Sequence, residues 1–244
     1  MSDQPSQTIA LVTGANRGLG FEVCRQLAQQ GMTVILTARD RNKGEQAAQK
    51  LREERLSVIF KPLDVADDAS VIELSQALNA EWDHLDILIN NAGMNFDFQQ
   101  PTLEADVNEV QQTLNTNLFG AWRVTQAVLP LLKNSQQGRI VNVSSGAGSF
   151  TGPRGILEQG DRLPAYAISK AALNALTIKL SRSLKETSIL VNAVCPNFTA
   201  TYPGTEQMGA RPVPEGAAGI VWAALLPDDG PTGGFFRDQQ PLPW

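Results

Sequence analysis

Histidine, cysteine and long apolar runs are all scarce in this chain of 244 residues. The single histidine, His84, directly precedes an apolar run, where a solvated side chain is a simpler interpretation than a catalytic or metal-binding one. Cys24 and Cys195 do not form a CxxC or other metal-type spacing, so they indicate free thiols in a reducing compartment and no metal site. No stretch approaches the roughly twenty apolar residues that a membrane helix needs.

Basic residues are not in excess either. Twenty Lys and Arg stand against twenty-five Asp and Glu, which gives a net charge of -5 and argues against a nucleic-acid-binding surface. Residues 1–7 are polar, unlike a signal peptide, and we expect them to be flexible. The composition therefore predicts a cytoplasmic protein without nucleic-acid or membrane partners, built as one domain over residues 1–244.

Short apolar runs alternate with helical patterns along the chain. The run Thr8–Thr13 predicts a buried strand, Leu19–Gln30 a helix, and Thr33–Thr37 a second strand. Because this alternation continues, we predict an α/β fold: a single-domain, Rossmann-type, doubly wound parallel sheet of about seven strands with helices on both faces. The other predicted strands are 57–62, 85–90, 139–143, 189–194 and one within 233–237, and the other predicted helices are 40–54, 67–80, 117–132 and 164–184.

Two segments interrupt the alternation. Residues 146–164 are rich in glycine, proline and charge, and residues 196–214 are rich in proline. Both follow predicted strands, and open α/β sheets bind ligands beyond the carboxyl ends of their strands. We therefore predict that both segments are active-site loops.

Gly14, Gly18 and Gly20 punctuate the predicted turn between the first strand and the first helix. Glycines at such a turn let the backbone approach a pyrophosphate, whose negative charge the helix N-terminus stabilises. The spacing GxxxGxG differs from the commoner GxGxxG, so a glycine-rich connector is the alternative interpretation. The position of the turn favours a dinucleotide site.

The end of the second strand bears on the choice of cofactor. Ala38 stands where an acidic residue would bind the ribose hydroxyl of NAD(H), and Arg39 follows it. Arg39 can direct two donors to a 2′-phosphate, and Arg17 can reach the same anion from the glycine turn. The pattern favours NADP(H), unless Arg39 merely pairs with Asp40 or Glu22 on the surface.

Asp64 and Val65 follow the third predicted strand, where they would meet the adenine edge of a bound dinucleotide. A purely structural role is equally compatible with this position. In that case Asp64, or Asp67 before the next helix, would cap the helix N-terminus.

Tyr166 and Lys170 lie four positions apart in a predicted helix, so they share one face of it. Reducing a carbonyl requires a proton for the developing alkoxide, and an unperturbed phenol with a pKa of about 10 exchanges its proton slowly near neutrality. A neighbouring ammonium lowers the pKa of a phenol by stabilising the phenolate. The pair fits a proton donor, although two such residues can also lie on an ordinary helix surface.

Further polar side chains lie near the same predicted crevice. Ser144 and Ser145 end the strand at 139–143, where a hydroxyl can donate to a substrate oxygen. Asn117 lies on the preceding predicted helix, where its carboxamide can hold a water molecule. Each also has a local interpretation, a turn or cap for the serines and a backbone bond for Asn117.

The ordered combination of these segments resembles the short-chain dehydrogenase/reductase family. The resemblance extends from about Thr8 to Thr201, and Arg17 with Arg39 is most similar to the NADP(H)-dependent carbonyl reductase branch. The segments that carry it are TGANRGLG at 13–20, NNAG at 90–93, Asn117, VSS at 143–145, YAISK at 166–170 and NAVCP at 192–196.

The resemblance implies a role for each catalytic candidate. Tyr166 would be the general acid in reduction, Lys170 would lower its pKa and hold the nicotinamide ribose, and Ser145 would bind the carbonyl oxygen. Asn117 would maintain a water molecule of the proton relay. The predicted contacts to NADP(H) are Gly14, Asn16, Arg17, Gly18, Leu19, Gly20, Arg39, Asp64, Val65, Asn91, Ala92, Gly93, Tyr166, Lys170, Pro196, Thr199 and Thr201.

Two departures from the family pattern concern the active site and the assembly. Asn197 replaces the usual glycine, and asparagine tolerates the left-handed backbone angles that this turn requires. The interval before Tyr166 is longer than usual because of residues 151–163, which would roof the substrate pocket or alter oligomerisation. A dimer, a tetramer and a monomer all stay open.

Together these features predict the NADPH-dependent reduction of an aldehyde or ketone to an alcohol. Because no basic cluster lies outside the cofactor site, the substrate is expected to be uncharged or weakly polar. The alternative is a non-catalytic NADP(H)-binding sensor or scaffold protein. The presence of both Tyr166 and Lys170 favours the enzyme.

Overall fold

The computed structural model describes residues 7–94, 97 and 100–244. Residues 1–6, to which most of the predicted flexible N-terminus belongs, lie outside the described residues. In the described part of the chain all strands join one sheet. They are β1 (Ile9–Val12), β2 (Thr33–Ala38), β3 (Val58–Pro62), β4 (Ile87–Asn90), β5 (Arg139–Val143), β6 (Leu190–Val194), β7 (Phe235–Arg237) and β8 (Gln240–Pro241).

The strand order is β3-β2-β1-β4-β5-β6-β7-β8. Every pairing from β3 to β7 is parallel, and β8 returns antiparallel to β7 as a short hairpin strand. The order reverses direction between β1 and β4, which is the usual place for a ligand crevice in such sheets. The prediction of a Rossmann-type doubly wound sheet is confirmed, with β8 as an additional two-residue strand.

Helices cover both faces of the sheet. The buried side chains of α1, α2 and α7 pack on one face, and those of α3 and α5 pack on the other. The buried apolar runs of the central strands are explained by this double cover. The helices are α1 (Gly18–Gln29), α2 (Arg41–Glu53), α3 (Asp68–Glu81), α4 (Val107–Leu114), α5 (Ala121–Asn134), α6 (Pro164–Ser183) and α7 (Val213–Ala224).

Two predicted element boundaries are wrong. The helix predicted at 117–132 begins earlier, as α4, and passes into α5 through a π-helical segment at Asn115–Gly120. The loop predicted at 196–214 ends at Pro212, where α7 begins. Proline was interpreted there as a breaker, but its fixed φ suits the first turn of a helix.

The parallel arrangement places the carboxyl ends of β1, β4, β5 and β6 at one edge of the sheet. The segments that follow these strands carry the glycine turn, Asn91–Gly93, Ser145 and Pro196. The predicted site residues are thus gathered at a single edge. Within the described residues, no helix has the length and apolar character needed to cross a membrane.

Candidate active site

The glycine turn after β1 packs closely against the residues that follow β4. Gly14 has a φ of +64°, and a Cβ atom there would lie 2.8 Å from the Cα atom of Ala92. At Gly20 an added Cβ would meet the amide nitrogen of Asn91. Glycine at these two positions therefore allows the two loops to touch.

Hydrogen bonds fix the same contact. The side-chain nitrogen of Asn91 donates to the carbonyl oxygens of Thr13 at 2.8 Å and Gly14 at 3.1 Å. The backbone N–H groups of Asn91 and Ala92 both donate to the hydroxyl of Thr13, each at 3.0 Å. Asn91 and Ala92, which were predicted as cofactor contacts, thus hold the glycine turn in shape.

The start of α1 differs from the starts of the next three helices. Asp40, Asp67 and Asp106 accept backbone N–H bonds at the N-termini of α2, α3 and α4. Arg17 occupies the equivalent position before α1 and provides no side-chain cap. The first N–H groups of α1 are therefore left for another acceptor, which fits the pyrophosphate of a dinucleotide.

The surface alternative for Arg39 is not observed. Asp40 pairs with Lys43, while Glu22 accepts bonds from Arg25 and a neighbouring glutamine. Among the described residues, the exposed Arg39 forms no ion pair. Its guanidinium is thus available at the end of β2, where the sequence predicts the 2′-phosphate.

Arg17 reaches from the glycine turn to the loop after β6. Its Nη1 atom donates to the carbonyl oxygen of Thr201 at 3.2 Å, and its guanidinium lies 4.7 Å from the centre of the Tyr202 ring. A Cβ atom on Gly18 would also contact the Thr201 side chain, at 3.5 Å. The structure thus brings two predicted contacts, Arg17 and Thr201, together, and gives Arg17 a partner other than the predicted phosphate.

The residues after β3 have mainly local partners. The carboxylate of Asp64 accepts the backbone N–H of Ala66 at 2.9 Å, and Asp67 caps α3. Val65 is buried, and its side chain closely approaches Gly120 in the π-helical segment. The structural interpretation of Asp67 is confirmed, whereas adenine contacts by Asp64 and Val65 stay predictions.

The turn after β6 is formed as the sequence predicts. Asn197 has a φ of +60°, the left-handed conformation that glycine would otherwise supply. The hydroxyl of Thr199 donates to the carbonyl oxygen of Pro196 at 2.9 Å. The Thr199 side chain is buried, so it holds its own loop together.

Tyr166 and Lys170 lie one turn apart on α6. The Nζ atom of Lys170 lies 5.7 Å from the centre of the Tyr166 ring and donates to the carbonyl oxygen of Val143 at 2.8 Å. Gly93 lies close to the same ammonium, since a Cβ atom added to it would lie 3.7 Å from Nζ. The Lys170 ammonium therefore lies at the carboxyl ends of β4 and β5.

Burial has the largest effect on the pKa values of this pair. Burial raises the pKa of Tyr166 to about 12, although hydrogen bonding with Ser145 opposes the increase. Burial also lowers the pKa of Lys170 to about 8. Lys170 is not among the groups that shift the pKa of Tyr166, and its ammonium donates to Val143, so the lowering of the phenol pKa by Lys170 stays a prediction.

The two adjacent serines have different surroundings. Ser144 is buried and donates to the Asn174 side chain at 2.6 Å. Ser145 is partly exposed, and its hydroxyl accepts the backbone N–H of Ala147 at 3.2 Å. Ser145, the predicted member of the pair, also acts to lower the pKa of Tyr166, so its hydroxyl neighbours the phenol.

Asn117 lies buried in the π-helical segment, a backbone irregularity that often marks functional sites. Its side-chain nitrogen donates to the carbonyl oxygen of Met94 at 3.0 Å and to the hydroxyl of Ser169 at 2.9 Å. Its side-chain oxygen accepts the N–H of Met94 at 2.8 Å. Both N–H donors of the carboxamide are thus engaged, so the amide nitrogen is not free to hold the predicted water molecule.

One contact with α6, the helix that carries Tyr166 and Lys170, has no sequence signature. The carboxylate of Asp97 accepts the backbone N–H groups of Ala165 and Tyr166 at the start of α6. Asp97 belongs to the loop after β4, far from α6 along the chain. Only the fold brings the three residues together.

Comparison with known proteins places the chain among oxidoreductases of this fold. The short chain dehydrogenase family matches residues 8–209. The chain is 35% identical to (+)-neomenthol dehydrogenase of Arabidopsis thaliana, over 95% of this chain and 96% of that protein. It is also 35% identical to NADPH carbonyl reductase 1 of Mus musculus, over 98% of this chain and 99% of that protein.

Two solved structures of reductases are also similar to this chain over nearly its whole length. The NADPH-bound carbonyl reductase from chicken fatty liver superposes with a TM-score of 0.85 at 27% identity, covering 98% of this chain and 99% of that chain. Salutaridine reductase from Papaver somniferum superposes with a TM-score of 0.80 at 31% identity, covering 95% of this chain and 100% of that chain.

Proposed function

This chain belongs to the short-chain dehydrogenase/reductase family, and from that premise we propose that it is an NADP(H)-dependent reductase of aldehydes or ketones. The observation that carries the proposal is the meeting of Tyr166, Ser145 and Lys170 at the carboxyl edge of the sheet. A phenol, a hydroxyl and an ammonium are the groups that a carbonyl oxygen needs as it gains negative charge.

The cofactor is held by three features of the chain. The uncapped start of α1 would bind the pyrophosphate, and Arg39 would bind the 2′-phosphate that distinguishes NADP(H) from NAD(H). Lys170 and the backbone near Gly93 border the nicotinamide ribose. Relatives described as NADPH carbonyl reductases support the same choice of cofactor.

When bound, NADPH would supply a hydride for the carbonyl carbon. Tyr166 donates its phenolic proton to the carbonyl oxygen, so that one hydride and one proton convert the carbonyl to an alcohol. Ser145 donates a hydrogen bond to the same oxygen and orients it toward Tyr166. The phenol is protonated at neutral pH, and burial raises its pKa to about 12, which makes it a weaker acid unless the phenolate is stabilised.

The protonated Lys170 stabilises the phenolate that Tyr166 becomes after the transfer. Burial lowers the pKa of Lys170 to about 8, so most of the ammonium is still present at neutral pH. Asn117 holds the backbone of Met94 and thereby shapes the wall beside Lys170. We propose that a water molecule near Asn117 returns a proton to Tyr166.

The substrate is a small, uncharged or weakly polar carbonyl compound. The segments after β5 and β6 expose the apolar side chains of Phe150, Leu157 and Met208. Such side chains favour an apolar ligand body beside the reacting carbonyl. Relatives described as (+)-neomenthol dehydrogenase and (-)-isopiperitenone reductase are consistent with this class.

A test is the oxidation of NADPH by the purified protein with a panel of aldehydes and ketones, repeated with NADH. The proposal predicts carbonyl-dependent consumption of NADPH in preference to NADH. Tight NADPH binding without turnover on any carbonyl would instead favour the sensor or scaffold alternative. The presence of both Tyr166 and Lys170 favours the enzyme over the sensor or scaffold.

We also propose a cytoplasmic location, which two buried free thiols, Cys24 and Cys195, support.

The 151–163 segment bears on whether two chains can pair. Thr102 donates to the carbonyl oxygen of Asp161 at 2.9 Å, so this segment is held against the turn that precedes α4. We propose that it covers part of the substrate pocket and limits pairing of two chains through α4.

A further inference from the structure

The helix that carries Tyr166 begins in an unusual way. Leu163 precedes α6 in a left-handed conformation, with a φ of +58°, and provides no side-chain cap. Pro164 is the first helical residue and has no N–H group. The first N–H groups that need a partner are therefore those of Ala165 and of Tyr166 itself.

Asp97 supplies that partner from another part of the chain. Its Oδ2 atom accepts the N–H of Ala165 at 2.6 Å and the N–H of Tyr166 at 3.3 Å. Asp97 is 1% exposed, so these bonds are shielded from solvent. A buried carboxylate is costly unless it is bonded, and only the Oδ2 atom of Asp97 is bonded among the described residues, while its Oδ1 atom is buried without a partner. Both bonds that Asp97 makes therefore go to the first turn of α6, which includes the backbone of the proposed proton donor.

Asn117 holds Met94, which also follows β4. The carboxamide of Asn117 binds both the N–H and the carbonyl oxygen of Met94, three residues before Asp97. It also binds Ser169, whose hydroxyl donates to the carbonyl oxygen of Tyr166 at 2.8 Å. The N–H and the carbonyl oxygen of Tyr166 are thus both tied into one network with Asn117.

We propose that Asp97 is a positioning residue of the reductase, which fixes the first turn of α6 and so holds the Tyr166 phenol beside Ser145. This inference rests on the proposed function for its kinetic test. Asp97 acts through hydrogen bonds to backbone N–H groups, and it neither touches the substrate nor moves a proton. Misplacement of a reacting group by about 1 Å is expected to cost up to about a hundredfold in rate.

The kinetic test compares Asp97→Ala with Asp97→Asn. Alanine removes the acceptor, and we expect kcat to fall about 10- to 100-fold while the Kd of NADPH changes less than about twofold. Asparagine keeps an acceptor oxygen, and we expect it to restore kcat to within about threefold of the wild type. Asp106→Ala is the control, because Asp106 is a local, exposed cap of α4 whose loss should leave kcat unchanged.

A second measurement does not depend on activity. Amide hydrogen exchange at Ala165 and Tyr166 should be slow in the wild type and in Asp97→Asn, and much faster in Asp97→Ala. If Asp97→Ala does not fold, the exchange and kcat of Asp97→Asn decide the question. A wild type without reductase activity would refute the proposed function, and the exchange data would still test the cap.

Two results would overturn the inference. One is a folded Asp97→Ala variant with unchanged kcat and unchanged exchange at Tyr166. The other is an Asp97→Asn variant as slow as Asp97→Ala, since that would assign the effect to charge instead of hydrogen bonding.

Discussion

The Nζ atom of Lys170 lies 5.7 Å from the centre of the Tyr166 ring, yet its hydrogen bond goes to the carbonyl oxygen of Val143. This bond anchors the ammonium to the end of β5 and keeps it beside the phenol. Burial disfavours the charged form of each group, so it raises the pKa of Tyr166 and lowers the pKa of Lys170. The stability of the protein should therefore depend on pH in a way that identifies Lys170.

Lys170→Gln should alter the pH dependence of unfolding. The pKa of Lys170 is lowered from 10.5 to about 8 in the folded chain, so the unfolded chain binds more protons between these values. The free energy of unfolding of the wild type should thus rise with pH from about 8 towards 10, by about 2–3 kcal/mol relative to the variant.

Chemical denaturation at about pH 7 and about pH 10 measures this difference. Lys179→Gln is the control, because it removes an exposed lysine from the same helix and should leave the pH dependence of the wild type intact. If the free energy of unfolding changes equally between the two pH values in the wild type and in Lys170→Gln, the burial of the ammonium is contradicted. Above about pH 10, ionisation of tyrosine in the unfolded chain should reverse the trend.

Arg39→Ala should discriminate between the two nicotinamide cofactors. Loss of a charge-assisted bond to the 2′-phosphate should weaken NADPH binding about 10- to 100-fold and leave NADH binding nearly unchanged. Fluorescence titration with each cofactor measures both constants. Arg55→Ala, which removes an exposed arginine just beyond the other end of α2, should affect neither, and an equal loss for both cofactors would disprove the phosphate contact.

Gly14→Ala should destabilise the protein and impair NADPH binding. The left-handed backbone costs about 1–2 kcal/mol for alanine, and contact with the backbone of Ala92 adds about 1–3 kcal/mol. Gly31→Ala isolates the first effect, because Gly31 also has a positive φ but has nothing within 4 Å of an added Cβ. Equal stabilities of the two variants would show that the close approach of the loops is unimportant.

Strand positions were the most predictable part of the fold. The boundaries of β5 agree with the prediction, because Gly138 and the serine pair delimit an apolar run at both ends. The path through α4 to α5 was not predictable, since the π-helical segment at Asn115–Gly120 depends on tertiary contacts. Close packing of Val65 against Gly120 is one of them.

The candidate site was predictable where one segment carries the signal. The spacing of Tyr166 and Lys170 predicted that they share a helix face, although by itself it also fitted an ordinary helix surface. The cap that Asp97 provides and the bond from Arg17 to Thr201 join distant segments, and no local pattern encodes them. The direction of the Tyr166 pKa shift could not be predicted from the sequence either, because it depends on how deeply the phenol is buried.

The most direct test of the proton donor is turnover of Tyr166→Phe compared with Tyr202→Phe, which changes the only other tyrosine of the chain. With NADPH and a carbonyl substrate that the wild type reduces, Tyr166→Phe should lose about 10²- to 10⁴-fold in kcat while its Kd for NADPH is unchanged. Tyr202→Phe should turn over like the wild type. Retained turnover in Tyr166→Phe would contradict the assignment of its phenol as the acid.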